Sequence, residues 1–276
     1  FADPEQFLSA VRFHAHRSVQ VFEIFERVFG GRERFVRVIG GWAPDGNELA
    51  VQVAEEILDF QDAYTQADAY AIAPYFGITL ALEERQEFVE TSSVDAILDT
   101  ATAELRFMLD VGRAVLDVTE ARGLELVTYE SGQHMVQATE TPYLSDLVEA
   151  KLTLAQNDER LYDMYTEYLN AWAQFGGLMN LFNDSLPLGS FGLVSRWDQD
   201  LATAPRYRAV QDFLVTEDPN QPAPRTGDAD GDGDIDLDDF FVFVEAFLTS
   251  DARFDFDGND IVNLDDFFEF SEVFGT

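Results

Sequence analysis

Phe7, Leu8, Val11, Val19, Phe22, Phe25 and Val28 recur at helical spacing, and the pattern stops at Gly30 and Gly31. This predicts an opening helix that ends in glycine. The short run from Arg34 to Ile39 follows and reads as a strand. Helix followed by strand then repeats. A helix over about 48–58 leads to a strand from Ala69 to Ala73, and one over about 94–122 leads to a strand from Leu124 to Tyr129. One or two helices within 143–175 lead to Leu178 through Phe182. Four short apolar strands, each preceded by a helix, predict an α/β fold with a parallel sheet buried on both faces, either doubly wound or a barrel.

The residues after the strands bear on that choice. They are Gly41, Trp42, Ala43, Pro44 and Asp45; Pro74, Tyr75 and Phe76; Glu130, Ser131, Gly132, Gln133 and His134; and Asn183 and Asp184. No P-loop and no G-x-G-x-x-G is present, so nucleotide binding has no motif behind it. Carboxylates, amides and aromatic rings at strand C-termini are what a sugar-binding barrel presents, because active sites on that fold sit there.

Two regions differ in composition. Pro219, Pro222 and Pro224 lie in a polar stretch that reads as a linker over 216–227, dividing a larger domain (1–215) from a small one (228–276). Residues 219–276 hold 16 acidic and 2 basic side chains, a density that needs a counter-ion. Asp228, Asp230, Asp232, Asp234, Asp236 and Asp239 occupy positions 1, 3, 5, 7, 9 and 12 of an EF-hand loop, with Gly233 at the sharp turn. Twenty-seven residues on, Asp255, Asp257, Asn259, Ile261, Asn263 and Asp266 repeat the pattern. Position 7 contributes its backbone carbonyl, so Asp234 and Ile261 need no particular side chain. Asp260 stands where glycine is expected and predicts a weaker second site. Two Ca2+ ions are therefore expected, and the module should need them to fold.

Asp at position 12, no helix before the first loop, and a Phe-rich helix after each loop (Phe240 to Phe247, Phe267 to Phe274) resemble a type I dockerin. That resemblance implies a cohesin-like partner. A tail that only stabilises its neighbour is the competing reading. In the larger region, Ala73 to Gly77, Tyr129 to His134 and the stretch from Gly192 to Val210 are similar to clan A glycoside hydrolase barrels. The resemblance implies a (β/α)8 barrel of which strands five to eight with their helices are present. Glu130 then matches the nucleophile that ends strand seven. The acid/base carboxylate, in an Asn-Glu pair after strand four, has no counterpart after a strand here and is expected upstream of Phe1.

Each candidate also has a plainer reading. Glu130 could be a salt-bridged loop carboxylate, and His134 either tunes it, orients a substrate hydroxyl or is a structural loop histidine. Trp42, Tyr75 and Trp197 follow strands and could stack on a pyranose, or pack the rim. Asp184, like Asp45 and Asn183, could bind sugar hydroxyls or merely favour a turn. His14 and His16 are two apart on a helix and make a poor metal pair.

The chain of 276 residues carries 17 basic and 53 acidic side chains, a formal charge of −36. Such a charge repels nucleic acid and anionic lipid. Lys151 is the sole lysine, which fits either a salty, calcium-rich medium or a GC-rich genome. No run is long enough to span a membrane. No cysteine and no signal-peptide pattern occur, and a preceding segment is expected. The combined expectation is a secreted or cell-surface, retaining polysaccharide hydrolase component tethered by its dockerin, inactive as this chain alone. The alternative is a non-catalytic carbohydrate-binding or adhesion protein with a calcium-stabilised tail.

Overall fold

The computed structural model describes residues 4–43, 46–136, 145–183, 191–196, 198–217, 227, 229, 235–251, 253–259 and 261–275. The chain divides into two compact units, Phe1–Val210 and Gln211–Thr276. No helix among the described residues is long and apolar enough to cross a membrane.

The first unit is α/β. Strands β1 (Val38–Gly40), β2 (Ala69–Ile72) and β3 (Glu125–Thr128) form a parallel sheet in sequential order. Helix α1 (Pro4–Phe29) precedes β1, and α2 (Asn47–Asp59) joins β1 to β2. Helices α3 (Gln86–Thr91) and α4 (Val94–Glu120) lie between β2 and β3. Helices α5 (Asp146–Gln156) and α6 (Arg160–Ala173) follow β3, and α7 (Pro205–Glu217) contains the division between the units. Ser93 and Ser145 accept backbone N–H groups at the starts of α4 and α5, as expected of helix caps.

Strand alternation sorts the side chains into two faces. Ile39, Tyr70, Ile72 and Leu126 join one core with Val11 of α1, Ile57 of α2 and Val115 of α4. These three helices therefore lie on one face, an arrangement shared by one half of a doubly wound sheet and by a segment of a barrel. The other face carries the small cluster of Ala69, Ala71 and Val127. A second core gathers Phe76, Leu105, Tyr165 and Tyr168 beneath the loops that follow β2 and β3.

Two expected strands are corrected. The first begins at Val38, not Arg34: the Asp68 carboxylate takes the Arg37 N–H (2.7 Å) and its guanidinium, while the Arg37 carbonyl still accepts Asp68 N (2.8 Å) and Ala69 N (3.2 Å). The fourth, Leu178 to Phe182, is not a strand, although it runs beside β3. Thr128 N donates to Leu178 O (3.0 Å), but Asn180 N is met by the Thr128 hydroxyl (2.7 Å), and the Asn180 amide donates to Thr128 O (2.8 Å). Side chains stand in for the regular ladder. Gly177 allows the approach, since a Cβ there would lie 1.6 Å from Leu126 O.

The second unit is built on α8 (Leu237–Ala246) and α9 (Leu264–Val273). Phe243 and Phe270 stack with centroids 5.0 Å apart, and Phe254 packs edge-on to Phe243 at 5.4 Å. Ile235 and Val262, at equivalent places of the repeat, are buried in the same core. That cluster is small, as a segment of this length allows.

Candidate functional site

Glu130 and Tyr75 lie just beyond the C-terminal ends of the adjacent strands β3 and β2. The Tyr75 hydroxyl donates to Glu130 Oε2 at 3.0 Å. Both side chains are half-buried. Burial, and then this bond to a carboxylate, raise the Tyr75 phenol well above its ordinary pKa, so it remains a donor. Among the described residues, Tyr75 is the hydrogen-bond partner of the Glu130 carboxylate.

The loop that carries Glu130 is pinned from several sides. Phe76 N donates to Gly132 O (3.1 Å), and His134 N donates to Phe76 O (2.7 Å), which extends the β2–β3 pairing past the strands. Phe182 N donates to Ser131 O (2.9 Å), and the Ser131 hydroxyl donates to Asn180 O (2.8 Å). Gln133 N donates to the buried Tyr165 hydroxyl at 3.2 Å. Gly132 sits at φ +124, and a Cβ there would lie 3.2 Å from that hydroxyl. Only glycine occupies such a position without strain.

His134 packs edge-on against Tyr75 (5.5 Å between centroids) and Phe191 (4.7 Å). Burial lowers its pKa, which favours the neutral imidazole. Glu130, Tyr75 and His134 thus form one cluster. Tyr75 was expected as a stacking platform, and the structure turns its hydroxyl to the carboxylate and its ring to His134 and Phe191.

Trp42 stands elsewhere on the same end of the sheet. It packs edge-on against Phe7 (6.1 Å) and lines a cavity of about 370 Å³ with Phe7, His14, Ile57 and Tyr129. His14 Nε2 lies 2.6 Å from Gly40 O, while His16 Nδ1 lies 3.0 Å from the Gln61 amide oxygen, so the two histidines serve separate contacts. Asp184 and Trp197 lie outside the described residues, as does Asp45. Sequence reading passed over Tyr129, Tyr165 and Phe191. Tyr129 alone had a signal, since it stands at the end of an expected strand immediately before Glu130.

In the second unit, carboxylate oxygens of Asp255, Asp257 and Asp266 all lie within 4.8 Å of one another. Two oxygens on one Ca2+ at 2.3–2.6 Å can be at most about 5 Å apart, so the trio fits a single ion. Asp266 is fully buried and accepts Phe256 N (2.8 Å) and Asn263 N (2.8 Å). Asp239, at the same place in the first repeat, is also fully buried and accepts Ala229 N (2.6 Å) and Asp236 N (2.8 Å). The Asn259 side chain accepts Ile261 N (3.0 Å), and the Asn263 amide donates to Ile261 O (3.1 Å). Asp228, Asp230, Asp232, Asp234 and Asp260 lie outside the described residues.

Comparison with known proteins finds no matching family model, no matching curated protein and no matching solved structure.

Proposed function

We propose that this chain is part of a secreted or cell-surface polysaccharide hydrolase, with Glu130 as the carboxylate that faces the sugar and a C-terminal calcium module that attaches it to a protein partner. The observation that carries the reading is the Tyr75–Glu130 hydrogen bond at the C-terminal ends of neighbouring parallel strands, where a half-buried carboxylate is held in place by a phenol. Sequential strand order with α1, α2 and α4 on one face supports a segment of a (β/α)8 barrel. So does α1 itself, which buries Val11 and Ala15 yet exposes Val21, Ile24 and Val28. A helix that is apolar on two sides is one that expects cover on both.

Retaining hydrolysis needs two carboxyl groups about 5–5.5 Å apart, one to attack and one to protonate the leaving oxygen. Glu130 fills one role. With the second group expected elsewhere, this chain should show no turnover on soluble polysaccharides. A barrel completed with the missing strands should turn over and lose that activity on Glu130→Gln. Robust hydrolysis by the chain alone would refute the partial-barrel reading.

The alternative, a glycan-binding protein without catalysis, draws on the same single carboxylate, and a completed barrel that binds sugar but never cleaves it would favour it. For the second unit, the paired buried aspartates Asp239 and Asp266 support two Ca2+ loops of dockerin type. Exposed Leu237 and Phe241 on α8, matched by Leu264 and Phe268 on α9, support docking to a cohesin-like protein.

A further inference from the structure

We propose that the outward face of α1 is a self-association surface, on which a second copy of this chain packs its own α1. Phe13, Val21, Ile24, Phe25, Val28 and Phe29 are all exposed, although α1 already buries Val11 and Ala15 in the core. Val21, Ile24 and Val28 follow one another at spacings of three and four, the spacing of a seam between two packed helices. Phe25 and Phe29 widen that seam and pack with Phe35 at 5.8–6.0 Å between centroids, so the aromatic end is held in place before any partner arrives. Val28 is 72% exposed and Phe13 64%, which leaves most of each side chain for a partner to cover.

Charge and area select the occupant. Residues 1–37 hold six arginines against five acidic side chains, whereas the whole chain stands at −36. Two such chains repel one another at long range, but at this nearly neutral segment they can meet without pressing like charges together. A basic partner would be drawn instead to the acidic remainder of the chain. At about 150–250 Å² for a fully exposed residue of these types, the six exposures give roughly 600 Å² of apolar surface per chain. A standard interface buries about 800 Å² per partner, a little over half of it apolar, so one such face is enough for a pair. In a two-fold pair the same stripe faces itself, and an apolar stripe is its own complement.

The proposal takes from the partial-barrel reading only that this side of α1 is open, and it needs neither sugar nor catalysis by Glu130. In a completed barrel the added helices would cover the same stripe, so that protein should not pair through it. Salt gives the pair a signature. Its attraction is apolar and the long-range force between two chains of charge −36 is repulsive, so screening should strengthen it. Raising salt from about 0.1 to 1 M shortens the Debye length from about 10 to 3 Å. Attraction to a basic partner would weaken over the same range.

The test is sedimentation equilibrium of the full chain with calcium, over a concentration series at low and high salt. A species of twice the 31.1 kDa chain mass should form, and its association should tighten with salt. Ile24→Asp and Val28→Asp should each weaken it by about tenfold or more, as at an interface centre. Phe241→Asp, on the exposed face of α8, should leave it unchanged. All three positions are exposed, so the variants should fold, and circular dichroism checks this. A monomer under every condition, a pair that weakens with salt, a pair that survives both α1 variants, or one broken by Phe241→Asp would each overturn the proposal. Failure of the barrel reading looks different: a completed barrel that still pairs through Ile24 and Val28 would count against the barrel and leave this interface standing.

Discussion

Withdrawing calcium should melt the second unit selectively, and the size of the effect follows from the loop geometry. Asp255, Asp257 and Asp266 hold their oxygens within 4.8 Å of one another. Without a cation, three negative charges repel at that distance. With one, the repulsion becomes coordination. An ion that binds only the folded form adds about 2.7 kcal/mol when its free concentration is 100 times Kd. For a unit the size of Gln211–Thr276, each kcal/mol moves Tm by about 4–8 °C, so one filled site should raise Tm by about 10–20 °C. Differential scanning calorimetry of the full chain with calcium and with chelator measures this. Asp266→Asn removes the charge at the buried position that also ties down Phe256 N and Asn263 N, and it should abolish most of the second loop's share of the shift. The reasoning is refuted if chelator moves no transition, or if Asp266→Asn retains the full calcium response.

Three further outcomes concern the first unit. Because burial lowers the His134 pKa, the unfolded chain binds more protons than the fold between the two pKa values, so stability should fall as pH drops below about 6.5; thermal melts from pH 8 to 5 should show this slope, and His134→Gln should flatten it. At lower pH, the Asp68 carboxyl is held below its ordinary range first by its hydrogen bond to Arg37, so its contribution is present above about pH 4 and lost as pH falls further; Arg37→Gln should remove that acid sensitivity in the same melts. Gly132→Ala should cost about 1–3 kcal/mol in urea denaturation, since it combines strained backbone with a contact on the Tyr165 hydroxyl, and a cost near zero would show that the loop is looser than its bonds indicate.

The helix phases of α1, α2 and α4 were legible because a period of 3.6 leaves a readable stripe, and Gly30 and Pro74 marked where α1 and β2 had to stop. The 27-residue repeat was legible for the same local reason, since Asp239 and Asp266 recur in register with Ile235 and Val262. Tertiary structure decided the rest, because it turned on which distant side chain reached a given group first. Asp68 took the Arg37 N–H just before β1, and Thr128 exchanged bonds with Asn180 where a fourth strand was expected. Neither partner is near in sequence, so no periodicity announces it. The Tyr75 hydroxyl could have faced sugar or carboxylate, and only the placement of β2 beside β3 brought Glu130 within 3.0 Å. Likewise Phe7 and Trp42 are an ordinary core residue and an ordinary loop residue until α1 packs beside β1 and leaves a cavity between them.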